Sequence, residues 1–287
     1  MEYLILCVAC SVTVSVLLKI AKRQSVVLEQ AIAINYIMAI TLSFFLLKPQ
    51  FPTDMESLSV LPWGVFLALG VLLPSIFIVM GRAVEYAGIV KSDAAQRLSL
   101  ILPIIAAVTI FGEEITEHRL LGVGLAFIAL ICLLARSETK QGKGGALAVL
   151  SLIGVWFGYG IIDILFKQLS KSGSAFPVSL VIAFGLGCLL MLLYITLIGQ
   201  RWTIKSIIGG LILGVFNFFN ILFYIKSHQA FAGNPTLVFA AVNIGVISLG
   251  TLTGAFVFKE KLRVINVIGL AFAIAAIVML FYGQKII

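Results

Sequence analysis

Ten stretches of this chain stay apolar for about twenty residues, the length a helix needs to cross a bilayer core of about 30 Å at 1.5 Å per residue. They run approximately over 3–20, 29–47, 60–80, 90–111, 119–136, 145–166, 176–198, 206–225, 235–257 and 264–282. The fourth is the least clean, because Lys91, Asp93, Gln96 and Arg97 crowd its start. The connections are short, the longest lying near 48–59 and 136–144, and leave no room for an extramembrane domain. Barrel strands would alternate apolar and polar residues over about ten positions, which these runs do not. Composition agrees: 61% of the residues are hydrophobic and 11% charged, against about 25% charged in soluble proteins, too few to clothe a water-facing surface. The sequence therefore predicts an all-α integral membrane protein with ten transmembrane helices. Met1-Glu2 opens the chain with no basic region or small-residue cleavage site, so the first run is expected to be retained.

The formal charge of +8 comes from basic residues scattered over the connections. No Lys/Arg stripe with interleaved aromatics marks a nucleic-acid surface, and the charges read as topology signals that meet lipid headgroups. Cys7, Cys10, Cys132 and Cys188 all lie in apolar runs; Cys7 and Cys10 have knuckle spacing, but no second pair or nearby histidine completes a metal site. No metal, cofactor or nucleic acid is expected. Gly154/Gly158, Gly210/Gly214 and Gly250/Gly254 are each spaced one turn apart, which lets helices approach closely in lipid. They read as packing, and a homodimer stays open.

The chain also repeats itself. Glu113 and Glu260, 147 residues apart, each precede an apolar run carrying glycine nine residues on, Gly122 and Gly269. Both runs contain Gly-Leu-Ala-Phe, at 124–127 and 269–272, two residues out of step with that register. Lys19 and Lys167 close the first run of each half. Five helices repeated once force the second unit to enter from the opposite side, giving two inverted five-helix repeats over 1–138 and 139–287. Such repeats suit alternating access to a midplane site.

With these residues in view, the chain resembles the EamA domains of the drug/metabolite transporter superfamily. The likeness rests on Phe-Gly-Glu-Glu at 111–114 leading into the fifth helix and Phe-Lys-Glu-Lys at 258–261 leading into the tenth. It also rests on the stretch from Phe223-Tyr224 to Asn234-Pro235-Thr236. It covers essentially the whole chain; Lys261 departs from the arginine often found there. The resemblance implies a ten-helix carrier in a bacterial plasma membrane, with a central cavity between the halves. It implies an exporter of amino acids or other small metabolites, whose partners are that cargo and the bilayer. Loop charges favour external termini, with six basic residues on the terminal side and twelve opposite, whereas family members commonly have cytoplasmic termini.

Ionisable groups at depth cost about 2.5–3.5 kcal/mol and are site candidates by default. Asp93 and Arg97, four apart on one helix face, can pair, with Gln96 beside them. In one reading Arg97 meets a carboxylate or phosphate of cargo; in the other the pair anchors a helix start. Asp163 and Lys167 repeat the spacing. Asp163 is a candidate proton carrier, and Lys167 is expected to snorkel to the headgroups. Asn217, Asn220 and Asn243 can bond cargo or glue helices, and Asn243 follows Gln96 by 147 residues. Trp156 and Tyr159 can form an aromatic cavity wall or simply pack. Pro103 is placed to kink the fourth span. Glu113 and Glu260 read as capping and charge-pairing residues.

An enzyme would need a nucleophile–base pair or clustered ligands. His118 and His228 have no partner motif, no phosphate-cradling glycine loop occurs, and no catalytic residue is assigned. A channel would bring a filter or pore helix. The expected function is secondary active transport of a small organic molecule by alternating access, coupled to protons or to exchange. A channel or facilitator is the alternative, and an intramembrane enzyme acting on lipid-linked substrates a more distant one.

Overall fold

The computed structural model describes residues 1–51, 61–114, 116–134, 145–173, 176–259 and 263–286. Among them every element is helical: α1 (Glu2–Arg23), α2 (Leu28–Leu42), α3 (Trp63–Ala87), α4 (Ile89–Leu98), α5 (Ile101–Thr109), α6 (Glu117–Leu134), α7 (Ala146–Ser170), α8 (Phe176–Ile198), α9 (Ile204–Ala230), α10 (Pro235–Phe258) and α11 (Val264–Ile286). Nine helices among the described residues are long and apolar enough to cross a bilayer, and the chain is a multi-pass membrane protein. The end of the expected second span is a π-helical turn, Ser43–Leu47.

The expected fourth span is not one helix. It opens at Gly88, whose φ of 87° turns the chain out of α3 into α4, a conformation only glycine adopts freely. It then breaks between Leu98 and Ile101. Pro103 accounts for the break: it cannot donate to the Ser99 carbonyl, and its ring crowds that group. The ladder shortens around it, with the Leu102 N–H donating to Ser99 O at 3.0 Å, three residues back. That leaves the Leu98 carbonyl without its helical donor. The indole N–H of Trp156 on α7 supplies one at 3.0 Å, and Ser99 Oγ donates to Gln96 O at 2.6 Å. In hydrocarbon an orphaned carbonyl costs several kcal/mol, so broken helices persist where neighbours re-satisfy them.

Helix packing runs mostly between the two halves of the sequence. Helix α6 lies along α11, α2 against α8 and α9, α3 against α7 and α8, and α1 against α9 and α10. Small residues set these approaches, as lipid supplies no hydrophobic drive between helices. A Cβ on Gly210 would lie 2.6 Å from Ala31 O, and one on Gly214 would lie 2.9 Å from Asn35 O, so α9 rests on the α2 backbone. Gly158 meets Ile76, and Gly154 meets Val79, where α7 crosses α3. Gly250 faces open space, so packing does not account for it. The α6–α11 contact is reciprocal: Gly122 faces Leu280 and Gly269 faces Leu133, so these helices run antiparallel.

Two outcomes check this packing. Gly210→Leu should lower thermal stability in detergent by about 1–3 kcal/mol through overpacking, whereas Gly250→Ala should be neutral or slightly stabilising; equal effects would defeat the assignment. Trp156→Phe should cost about 1–3 kcal/mol by orphaning the Leu98 carbonyl, and an unchanged melting temperature would remove the indole from its role as the break's partner.

Candidate functional site

Near the middle of the long helices lies a cavity of about 180 Å³. The broken segment contributes Gln96, Arg97 and Ser99, α7 contributes Tyr159 and Asp163, α9 contributes Asn217, Asn220 and Tyr224, and α10 contributes Asn243. The break positions the first group: α4 ends there, so its last turn presents polar side chains inside the bundle.

Two opposite charges share this space. Arg97 Nε lies 3.6 Å from Asp93 Oδ1, the four-residue pair anticipated from the sequence. Asp93 is not among the lining residues; it stands behind Arg97 and balances its charge. Asp163 does not pair with Lys167. Its Oδ1 accepts the Tyr224 hydroxyl at 2.9 Å, a bond between α7 and α9. The amides are only partly committed. Asn220 Oδ1 accepts the Cys7 thiol at 3.3 Å, and Asn243 Nδ2 donates to Phe239 O at 3.1 Å. Their remaining donors and acceptors are available to a polar guest. The Tyr36 hydroxyl, on another lining residue, is buried without a partner among the described residues.

Trp156 lies outside the lining: its indole is held at the helix break. Tyr159, one turn further along α7, does line the cavity. The residues that sequence reasoning missed are Cys7, Ser11, Tyr36, Ser99 and Tyr224. Tyr224 continues the face of Asn217 and Asn220 at helical spacing, and Ser11 follows Cys7 by one turn, so periodicity could have found these three. Tyr36 sits in an apolar helix with nothing polar beside it in register.

A second polar cluster closes the terminal side. Lys167 corrects the snorkelling expectation: it is 1% exposed, and Nζ donates to Ala232 O at 3.0 Å and His228 O at 3.4 Å. The carbonyls at the C-terminal end of α9, the negative end of its dipole, offer the ammonium partners inside the bundle. His228 is fully buried between the rings of Tyr224 and Phe239. Glu113 caps α10 from the other half of the sequence, its Oε2 accepting the Thr236 N–H at 2.8 Å. Its Oε1 pairs with Arg119 at 3.2 Å, and Arg119 also donates to Asn234 Oδ1. Glu260 and Lys261, the 135–144 connection and the 138/139 boundary lie outside the described residues.

Charge, amide and hydroxyl groups therefore converge on a space that suits a small polar molecule, below the roughly 300–1,000 Å³ of drug-sized sites.

No protein-family model matches the chain. A solved crystal structure aligns over 99% of this chain and 98% of its own, with a TM-score of 0.74 and 13% identity. At that identity the likeness concerns the fold alone. An uncharacterized protein of Haemophilus influenzae is 58% identical over 291 residues, with 100% of both chains covered. The chain belongs to the same family as that Haemophilus influenzae protein.

Proposed function

We propose that this protein is a secondary transporter of the EamA type that moves small polar organic molecules, amino acids among them, by alternating access. The observation that carries this reading is the mid-helix cavity, where Arg97 and Asp163 bring opposite charges to one space ringed by amides. Charged groups at this depth are costly in a membrane protein, and that cost makes them a functional-site hypothesis by default. A guest with a carboxylate and an ammonium, or a carboxylate and hydroxyls, satisfies both groups.

The proposed topology is ten crossings in two inverted five-helix repeats, with α4 and α5 together forming the fourth. The reciprocal α6–α11 contact supports it. Gly122 and Gly269 stand 147 residues apart, and so do their partners Leu133 and Leu280. A two-fold relation between repeats generates such an exchange of equivalent residues. The break in the fourth crossing supports it as well, since discontinuous helices at the midplane are where carriers place their sites. The halves interleave, so the rocking bodies are sets of helices drawn from both repeats.

Asp163 is the proposed proton carrier. Its bond to Tyr224 joins α7 to α9, so protonation alters a contact between helices as well as a charge in the site. In proteoliposomes Asp163→Asn should then weaken cargo binding but still exchange cargo when cargo is supplied at saturating concentration, while losing accumulation driven by a pH gradient. Equal loss of both activities at saturating cargo, or loss of neither, would remove Asp163 from coupling.

Cargo identity can be sought by thermal stabilisation against amino acids and small metabolites. Arg97→Ala should raise the Kd for a carboxylate-bearing cargo, read from the concentration dependence of stabilisation, about 10- to 100-fold, the worth of a charge-assisted hydrogen bond. Normal binding and transport by Arg97→Ala would displace the site from the broken helix. Single-channel currents in place of accelerated counterflow would favour a pore over a carrier.

A further inference from the structure

On the face opposite the termini, a second cavity of about 310 Å³ opens between the end of α1, the start of α2 and the start of α9. Its walls are almost entirely apolar, and Ile20, Leu28, Ile208 and Ile212 remain exposed. The polar exceptions are Gln24, just past the end of α1, and Lys205, in the first turn of α9 at the mouth, both exposed. From Lys205 to Ile212 the slot follows α9 for about 10 Å, from the membrane interface toward the hydrocarbon. Trp202 stands exposed just ahead of α9, three residues before Lys205, where interfacial aromatics settle.

Gly209 gives this slot its most specific mark. Neighbouring Gly210 is required by packing, because a Cβ there would strike the α2 backbone. Gly209 is not: a Cβ would make only ordinary contact with Val26 at 3.6 Å. Glycine is the poorest helix former after proline, so helix α9 gains nothing in packing from it. What Gly209 does is keep one wall of the slot free of a side chain.

We propose that this slot holds one acyl chain of an anionic phospholipid, whose phosphate meets Lys205. An apolar trough on the lipid-facing side of a helix bundle meets acyl chains, and the ammonium at its mouth selects a negative headgroup. The positive end of the α9 dipole adds to that selection. By loop charge this is also the more basic face, the one topology rules place against the anionic leaflet. The site is separate from the central cavity and stands or falls independently of the transport reading.

The test uses the purified full chain in detergent, with native mass spectrometry for retained lipid and thermal unfolding for stability. Dioleoyl-phosphatidylglycerol, dioleoyl-phosphatidylcholine and inorganic phosphate are added separately. Phosphatidylglycerol should be retained and should stabilise more than phosphatidylcholine, and inorganic phosphate should do neither. Gly209→Leu and Ile212→Trp, which fill the slot from different walls, should each abolish retention. Two fillings guard against misfolding of one. Lys205→Gln should weaken phosphatidylglycerol retention about fivefold, the worth of one interfacial lysine, and leave phosphatidylcholine unaffected. Equal effects of the two lipids on the unaltered protein overturn the proposal. So does a phosphatidylglycerol preference surviving both slot-filling variants, a phosphate effect matching the lipid's, or a second copy of the chain released by Gly209→Leu.

Discussion

Hydrocarbon offers no partner to a backbone amide or carbonyl, and the rest of this structure follows from that constraint. It makes every described element a helix, and it means that an interruption must be repaired by something specific. Between α4 and α5 proline removes one donor, the ladder shortens to three-residue bonds, and an indole from α7 takes the carbonyl left over. The repair has a functional consequence. It permits a helix to end inside the bundle, and the last turn of that helix carries Gln96, Arg97 and Ser99 into the cavity.

The same constraint governs the side chains. Arg97 is balanced by Asp93 from behind, Asp163 by the Tyr224 hydroxyl, Lys167 by carbonyls at the end of α9, and Glu113 by Arg119 and the first turn of α10. One of these partnerships, Glu113 with the first turn of α10, joins the two halves of the sequence, as does most of the helix packing. Glycine contacts and buried polar bonds thus act together: the first bring backbones from both halves into touch, and the second fix which helices meet. The cavity lies at the seam they create.

Much of the candidate site was legible because polar groups stand out against apolar helices. Gln96, Arg97, Asp163, Asn217, Asn220 and Asn243 could be named from burial cost alone, and all six line one cavity, joined by Tyr159, which was legible as an aromatic wall. Asp93 was legible as a partner of Arg97 through the four-residue spacing, but not as standing outside the lining, since spacing orders residues along a helix and says nothing of what the helix faces. Tyrosine carries little burial cost, so Tyr36, with nothing polar in register beside it, left no comparable signal. Lys167 misled for a related reason. A lysine near a helix end can reach water or turn inward, and the carbonyls that drew it inward belong to a chain segment more than sixty residues away.

The amino-acid sequence by itself determined the medium, the all-helical class, the approximate spans, and which polar residues had to find partners at depth. Those properties are local: they depend on residue type, run length and helical spacing. The tertiary structure alone decided where the fourth span breaks and is repaired, that Trp156 serves that repair, that Asp163 bonds Tyr224, and that Gly209 fronts an open slot while Gly210 abuts a backbone. Each of these depends on which distant helix lies alongside, and in lipid that choice is made by close packing and bond satisfaction between helices, neither of which is written in the periodicity of one helix.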